Sequence, residues 1–521
     1  MPGQSGAEAS EWLNLRIETV PRAFGGFMKS FTRNCEPKRR QNTRAISVLV
    51  ALLSLSLSAA SKPVMVHFMP WFVAKPFSGN WGWHWTMNYF DPNIFNTNGQ
   101  REIASWYYPQ IGPYDSDDPV ALEYQVQLLK LAGADGVIVD WYGMDNYLDY
   151  AVNNQRTLAL FGWTRRAGLK FSLCYEDATI LNEINGGYIT SNNAVARAQQ
   201  TMLYAETNFF NDSSYLRLKG RPVLLNFGPQ YFTASGDWVA IFSVLAPSNS
   251  PPAFFTEDNK LAVGQGAFDW PPMGMSQTNN GILTTNQLNA YLTQFEQKAA
   301  AWGAYISSAF PRFHDIYQQA GVRPSYGYLD DNHGLTFQST LRRAMTNSSA
   351  IAQIVTWNDY GEGTVVEPTT DYACRDLGVL QNFRRLYLSP GYAGTTNDFS
   401  AAIRLYNARR GYAGNAIAQA ELDRIFTNAV TGNLPDATLK LSGLESHSPV
   451  IYNLSLANNQ LAFSVGGSVS SNGVEIQSTP DAASSQWQTA AILSSGSNAP
   501  LFTTNVANFS GTVFFRVVNQ P

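Results

Sequence analysis

Two acids three positions apart, Asp359 and Glu362, stand in a turn that also holds Gly361 and Gly363, directly after the apolar run 351–357. A tight turn on a rigid strand can present both side chains to one cleft. Cleaving the acetal link between two sugars needs that arrangement. One carboxyl group protonates the departing oxygen, and the other activates water or attacks. Spacing alone is a weak signal, because solvated surface turns often carry two acids. The apolar strand in front and the neighbours Trp357, Asn358 and Tyr360 strengthen it. Acids, amides and aromatics also follow other apolar runs: His67 and Trp71, then Asp140, Trp141 and Tyr142, then Glu176, Asn226, Glu257 and Asp269. Aromatic faces pack on the C–H faces of sugars, and carboxylates accept hydroxyl hydrogen bonds. His84 and Trp85, in a Gly-Trp-His-Trp segment, join the candidates. Each has a plainer reading beside it: His84 as loop packing, Trp141 as core, any single acid as a helix cap.

The elements that would position these residues are eight short runs: Val64–Met69, Gly136–Trp141, Lys170–Tyr175, Pro222–Phe227, Ala253–Thr256, Gly266–Trp270, Ala304–Phe310 and Ile351–Trp357. They are nearly continuously apolar, as parallel strands covered on both faces must be. Helix-capable stretches lie between them. Before the second run, Asp118 can cap, Pro119 fits the first helical position, Ala121, Leu122, Val126 and Leu129 share a face, and Gly133 stops the helix. The pattern predicts an α/β chain, a (β/α)8 TIM barrel over residues 61–390, whose function sits at the C-terminal strand ends. A helical segment at 391–437 completes the barrel or bridges from it. From 438 to 521 short alternating strands between Gly-, Asn- and Ser-rich turns predict a small β-sandwich. Trp487 there reads as sandwich core or as a sugar-binding platform.

Composition limits the partners. The 521 residues include 35 basic and 39 acidic side chains, a net charge of −4, which argues against nucleic acid. Only 14% are charged and 13% are aromatic, a balance suited to neutral, hydroxyl-rich ligands. Residues 1–60 read as an extension followed by a secretory leader. Lys38, Arg39, Arg40 and Arg44 precede an apolar stretch from Ala45 to Leu57, and Ser58-Ala59-Ala60 offers a cleavage site. Met28 is an alternative start. The expected location is outside the cytoplasm (secreted, periplasmic or at the cell surface), as a monomer, without stable membrane insertion once the leader is removed. Cys174 and Cys374 could pair in that compartment, although Cys174 lies in a strand pattern that suits a buried thiol. No His-x-x-x-His or Cys-x-x-Cys spacing is present, so neither metal nor cofactor is expected. Asp330-Asp331 resembles half a calcium site without the ligand spacing to complete it.

The segment 356–368, TWNDYGEGTVVEP, resembles the hallmark of glycoside hydrolase families 71 and 99. Asn358 to Glu362 is similar to an element of family 71, the α-1,3-glucanases. Gly363-Thr364 and Glu367-Pro368 are similar to family 99, the endo-α-mannosidases. HFMPWF near the start, GWHW at 82–85, IGPYDSDDP at 111–119, AGADGVIVDWYG at 132–143 and LKGRPVLLNF at 218–227 fit the same likeness, which covers roughly residues 62–390. It implies a barrel that cleaves α-linked polysaccharide or oligosaccharide internally, with Glu362 as general acid and Asp359 in the general-base position. Family 99 carries Glu where this chain has Asp359. A side chain shorter by one methylene leaves room for water, which points to inversion. The resemblance also implies a substrate contact for Glu176. Glu367 reads as a structural hydrogen-bond acceptor. A non-catalytic glycan-binding barrel, and a transglycosylase or glycan-assembly accessory, are the competing readings.

Overall fold

The computed structural model describes residues 62–445 and, beyond them, 449–457, 459–467, 473–480, 486–494, 501–508 and 513–519. The expected leader lies outside the described residues. Eight parallel strands close on themselves: β1 (Val64–Phe68), β2 (Gly136–Trp141), β3 (Lys170–Tyr175), β4 (Arg221–Asn226), β5 (Ala253–Glu257), β6 (Gly266–Phe268), β7 (Ile306–Ala309) and β8 (Ile351–Ile354). Each pairs with the next, and β8 returns to β1, with Val66 opposite both Val137 and Ile354. This is the (β/α)8 barrel, and every expected run supplies one strand.

Alternation along the strands divides the core in two. Val64, Val66, Val137, Val139, Trp141, Phe171 and Leu173 belong to an outer cluster with the helices. Met65, Ile138, Cys174, Val223, Leu225, Phe255, Phe268 and Ile306 form the barrel's own filling. The period of two therefore decides which strand-end residue looks into the barrel. His67 keeps step with Met65, Asp140 with Ile138, and Glu176 with Cys174.

The crossover helix α1 (Pro119–Ala132) forms as its sequence requires. The Asp118 side chain accepts from the Val120 N–H, and Gly133 ends the helix at φ 85°. Outside it pack α2 (Ser400–Gly411), α3 (Ala416–Val430) and α4 (Leu434–Glu445). Arg409 of α2 grips Glu123 of α1 through both carboxylate oxygens, at 2.6 and 2.8 Å, and both side chains are buried. These helices belong to the same compact unit as the barrel, which extends to residue 448. Helix α4 runs across position 438, so the sandwich boundary expected there moves to Pro449. Leu441 and Leu444 are wholly buried, and the apolar face continues where a composition change suggested a new domain.

Among the described residues, the C-terminal unit holds two three-stranded antiparallel sheets. One is β9 (Pro449–Ala457), β10 (Gln460–Gly467) and β13 (Leu501–Asn505); the other is β12 (Gln488–Leu493), β11 (Val474–Thr479) and β14 (Phe514–Asn519). Leu461, Phe463 and Phe502 from the first meet Val474, Ile476 and Phe515 from the second. Trp487 is half-buried outside that cluster, with the Arg516 guanidinium 4.4 Å from its ring centre. Cys174 and Cys374 are separate thiols. Among the described residues no helix is long and apolar enough to cross a membrane.

Removing one partner of a buried ion pair strands the other charge. Arg409→Met is therefore expected to lower barrel stability by about 3–5 kcal/mol in urea unfolding. Adding Glu123→Gln should recover more than half of that loss, and a single variant as stable as the parent would show that the pair holds nothing.

Candidate active site

The carboxyl pair is set by the turn that follows β8. The Thr356 hydroxyl accepts from the Asp359 N–H at 2.8 Å, and the Gly363 N–H donates to the Asp359 carbonyl at 2.9 Å. Gly363 sits at φ 69°, where a Cβ would lie 2.6 Å from the His314 carbonyl, so only glycine closes this turn against its neighbour. His314 and Ile316 N–H groups donate to the Glu362 and Gly361 carbonyls at 2.8 and 3.0 Å, pinning the turn from the segment after β7. Asn358 ties it to β1, accepting from the Met69 N–H and donating to the Met69 carbonyl at 2.8 and 2.9 Å.

Beneath the turn lies Glu367. It accepts from Gln125 on one oxygen, at 2.8 Å, and from the hydroxyls of Tyr114 and Tyr360 on the other, at 2.8 and 2.9 Å. This matches its reading as a structural acceptor. Asp330 and Asp331 make local turn contacts, and Asp331 pairs with Arg375 at 2.6 Å.

A cavity of about 220 Å³ opens at the C-terminal end of the barrel. Eight of the sixteen candidate residues line it: His67, Trp71, His84, Asp140, Tyr142, Glu176, Asp359 and Glu362. Trp71 and His84 stack with ring centres 4.3 Å apart and planes 7° from parallel. The other eight lie elsewhere. Trp85 is wholly buried and donates to the Tyr114 carbonyl; Trp141 packs in the outer core and donates to Asn154. Asn226 keeps step with Leu224 of the outer cluster and donates to the Tyr175 carbonyl at 2.7 Å. Asp269 accepts from the Ser308 N–H at 2.7 Å and links β6 to β7. Glu257 is half-buried beyond the cavity lining, while Trp357, Asn358 and Tyr360 are buried and support the turn. For Trp141, Asn226 and Asp269 the period of two, and for Trp357, Asn358 and Tyr360 the packing of the turn, points the side chain away from the cleft, whereas Glu257 keeps step with Phe255 of the barrel filling and lies beyond the cavity lining.

The cavity also recruits Met69, Trp83, Met87, Phe227, Trp270 and Tyr317. Trp83 and Trp270 sat inside motifs already of interest. Tyr317 had no signal: it lies in an irregular stretch after β7, and only the fold brings it to the cavity beside Glu362.

The electrostatics separate the two acids of the turn. Burial pushes Asp359 up to about 6, offset by hydrogen bonds from the Glu362 and Gly361 N–H groups, which favour its anion. Glu362 is raised well above the carboxylate range by burial, then by the neighbouring Asp359 charge, with the Tyr317 hydrogen bond acting against this. The turn therefore holds two carboxyl groups whose proton affinities are pushed apart, Glu362 the more strongly raised. Behind them, burial and Glu176 raise Asp140, and burial brings Glu176 to about 7. Burial lowers His67 to about 3, and burial with Arg156 does the same to His84, so both rings are neutral. Two carboxyl groups of unequal proton affinity facing one cavity can carry out proton-transfer catalysis at a bond placed between them.

No family model matches the chain. It is 35% identical over 68 residues to a glycoprotein endo-α-1,2-mannosidase-like protein of Danio rerio; the match spans 11% of this chain and 15% of that relative. Its structure is similar to that of the family 99 endo-α-mannosidase of Bacteroides thetaiotaomicron, at 16% identity and a TM-score of 0.47, covering 63% of this chain and 98% of that one. A solved glycoside hydrolase-like protein is similar at 14% identity and a TM-score of 0.45, with 62% and 94% covered.

Burial makes stability depend on pH. Glu257, Asp269 and Glu367 are raised to about 7 and Asp359 to about 6, each chiefly by burial. Between the ordinary carboxylate range and these values the native protein holds protons that the unfolded chain has released. Stability then falls as pH rises through that window. The melting temperature at about pH 5 is expected to exceed that at about pH 7.5; the opposite order in a buffer series would show that hydrogen bonding to the carboxylates outweighs their burial.

Proposed function

We propose that this protein is a glycoside hydrolase that cleaves α-linked polysaccharide internally, of the α-1,3-glucan or α-mannan type, outside the cytoplasm. One observation carries the reading: the turn after β8 puts Asp359 and Glu362 on one cavity with their proton affinities pushed apart. In this reading Glu362, protonated, gives its proton to the departing glycosidic oxygen. Asp359, held ionised by the two N–H groups of its own turn, takes a proton from the attacking water. The Trp71–His84 stack and Tyr142 offer aromatic surface for a sugar ring, and Asp140 and Glu176 offer hydroxyl contacts. The sequence resemblance of residues 356–368 supports the same assignment. The shorter Asp side chain, with space for water before it, supports inversion.

The test is release of reducing ends from a panel of α-glucans and α-mannans. Activity on one polymer is expected, with Glu362→Gln and Asp359→Asn each lowering kcat about 10²–10⁴-fold while the fold is kept. Silence across the panel from a folded protein would turn the reading toward a glycan-binding barrel. The pH profile should be a bell, its acid limb following Asp359 near 6 and its alkaline limb following Glu362. Proton NMR of the first product should show the β anomer; a product that keeps the α configuration would sink the inverting assignment alone.

A further inference from the structure

At the cavity floor, three strands bring together side chains of a different chemistry. His67 lies in β1, one residue before its end, Asp140 lies in β2, and Cys174 lies directly across from Asp140 in the register of β3. One ligand atom from each lies within 4.8 Å of the other two. All three are at least 97% buried, at 0%, 3% and 0% exposure. Both ring nitrogens of His67 and Oδ1 of Asp140 are without hydrogen-bond partners, as is Oε1 of the neighbouring Gln353. A buried imidazole with neither nitrogen satisfied costs free energy unless something pairs with it. The groups share no sequence motif. The intervals from His67 to Asp140 and from Asp140 to Cys174 are far longer than any local metal-binding spacing, so the expectation of no metal had nothing local to contradict it.

We propose that His67, Asp140 and Cys174 form a binding site for a thiophilic divalent cation of the zinc class, with a fourth position open to the cavity. Nitrogen, carboxylate and thiolate together are a zinc-type donor set, and three protein ligands with one open position is the arrangement of reactive zinc sites. Tetrahedral bonds of about 2.0–2.3 Å space the ligand atoms about 3.5 Å apart. From separations of at most 4.8 Å, the trio would have to close by at most about 1.3 Å to meet an ion. One thiolate and one carboxylate balance the charge of the ion. Groups that could orient the ligands are also present: Gln353 stands beside His67, and Glu176 lies beside Asp140 on the cavity. His67 and Asp140 line the cavity, which supplies the way in. An ion there would hold Asp140, which shares the cavity with Glu176, coupling occupancy to the cleft.

The full chain, stripped with a chelator, is titrated with cobalt(II) alone. The expected result is one cobalt per chain, with a thiolate-to-metal charge-transfer band and strong visible bands of a tetrahedral ion, both lost when zinc is added. Cys174→Ser should abolish the charge-transfer band, and His67→Gln should weaken binding at least about tenfold. Cys374→Ser, altering the other described thiol, should leave the spectrum unchanged. X-ray absorption of the zinc-loaded parent is expected to show one sulfur at about 2.3 Å beside nitrogen or oxygen at about 2.0 Å, which needs no variant to fold. Failure to bind cobalt stoichiometrically, a band that survives Cys174→Ser, or a zinc shell without sulfur would each overturn the proposal. The readouts are binding and spectra, so the site and the hydrolase reading stand or fall separately.

Discussion

Glu367 is the group on which the mouth of the barrel depends. It is a carboxyl group at 2% exposure that accepts three hydrogen bonds from three different parts of the chain: Gln125 on α1, Tyr114 in the loop before α1, and Tyr360 in the turn after β8. Hydrogen bonds to a buried carboxyl group are stronger than neutral ones, and leaving one unmade is costly. The three donors are therefore held together because each alternative leaves an acid or a phenol unpaired. The Tyr114 hydroxyl also accepts from Asn358, which clamps both polar atoms of the Met69 backbone. A single connected network thus joins β1, the loop before α1 and the turn that carries Asp359 and Glu362. A second constraint comes from the opposite side. Arg312, buried, donates to the Val365 carbonyl and pairs with Asp376, fixing the chain as it leaves the turn.

Rigid support matters because of what the turn holds. Asp359, Glu362, Asp140 and Glu176 are acids facing one small cavity, and their mutual repulsion would disperse them if they sat on mobile loops. The barrel puts Asp140 and Glu176 at the ends of strands bonded on both sides. The turn is fastened by backbone hydrogen bonds from His314 and Ile316. Burial is what chiefly raises these carboxyl groups above their ordinary range, and for Asp140, Glu176 and Glu362 neighbouring acid charges add to it. The asymmetry between Asp359 and Glu362 has a local origin. Asp359 receives the N–H groups of its own turn, whereas Glu362 faces the resulting charge.

Aromatic packing shapes the rest of the cleft. Phe72, Trp85, Tyr114 and Tyr360 contact one another edge to face or tilted behind the turn. Trp71, His84 and Tyr142 present ring surface toward the cavity. The Gly-Trp-His-Trp segment divides its labour by helical geometry. In the one-turn helix Trp83–Thr86, Trp85 turns inward to the core while Trp83 stays 41% exposed at the cavity edge.

The sequence by itself determined the barrel and the acidic turn after its last strand, because both depend on short-range patterns. Eight apolar runs separated by capped helices leave no other economical way to cover two faces of each strand. Gly361 and Gly363 around two acids announce a turn whose backbone few residues could follow. It also separated Glu367 from Asp359 and Glu362. What it could not determine was the direction of each side chain at a strand end. Trp141 and Tyr142 are neighbours of equal chemical promise, yet one lies in the outer core and the other on the cavity, because strand parity, fixed by register with β1 and β3, turns them apart. Asn226 and Asp269 fell on the wrong parity for the same reason. Tyr317, and the meeting of His67, Asp140 and Cys174, were decided by tertiary structure alone. They join residues far apart in the chain, and closing a barrel puts such residues side by side without leaving any trace in local spacing.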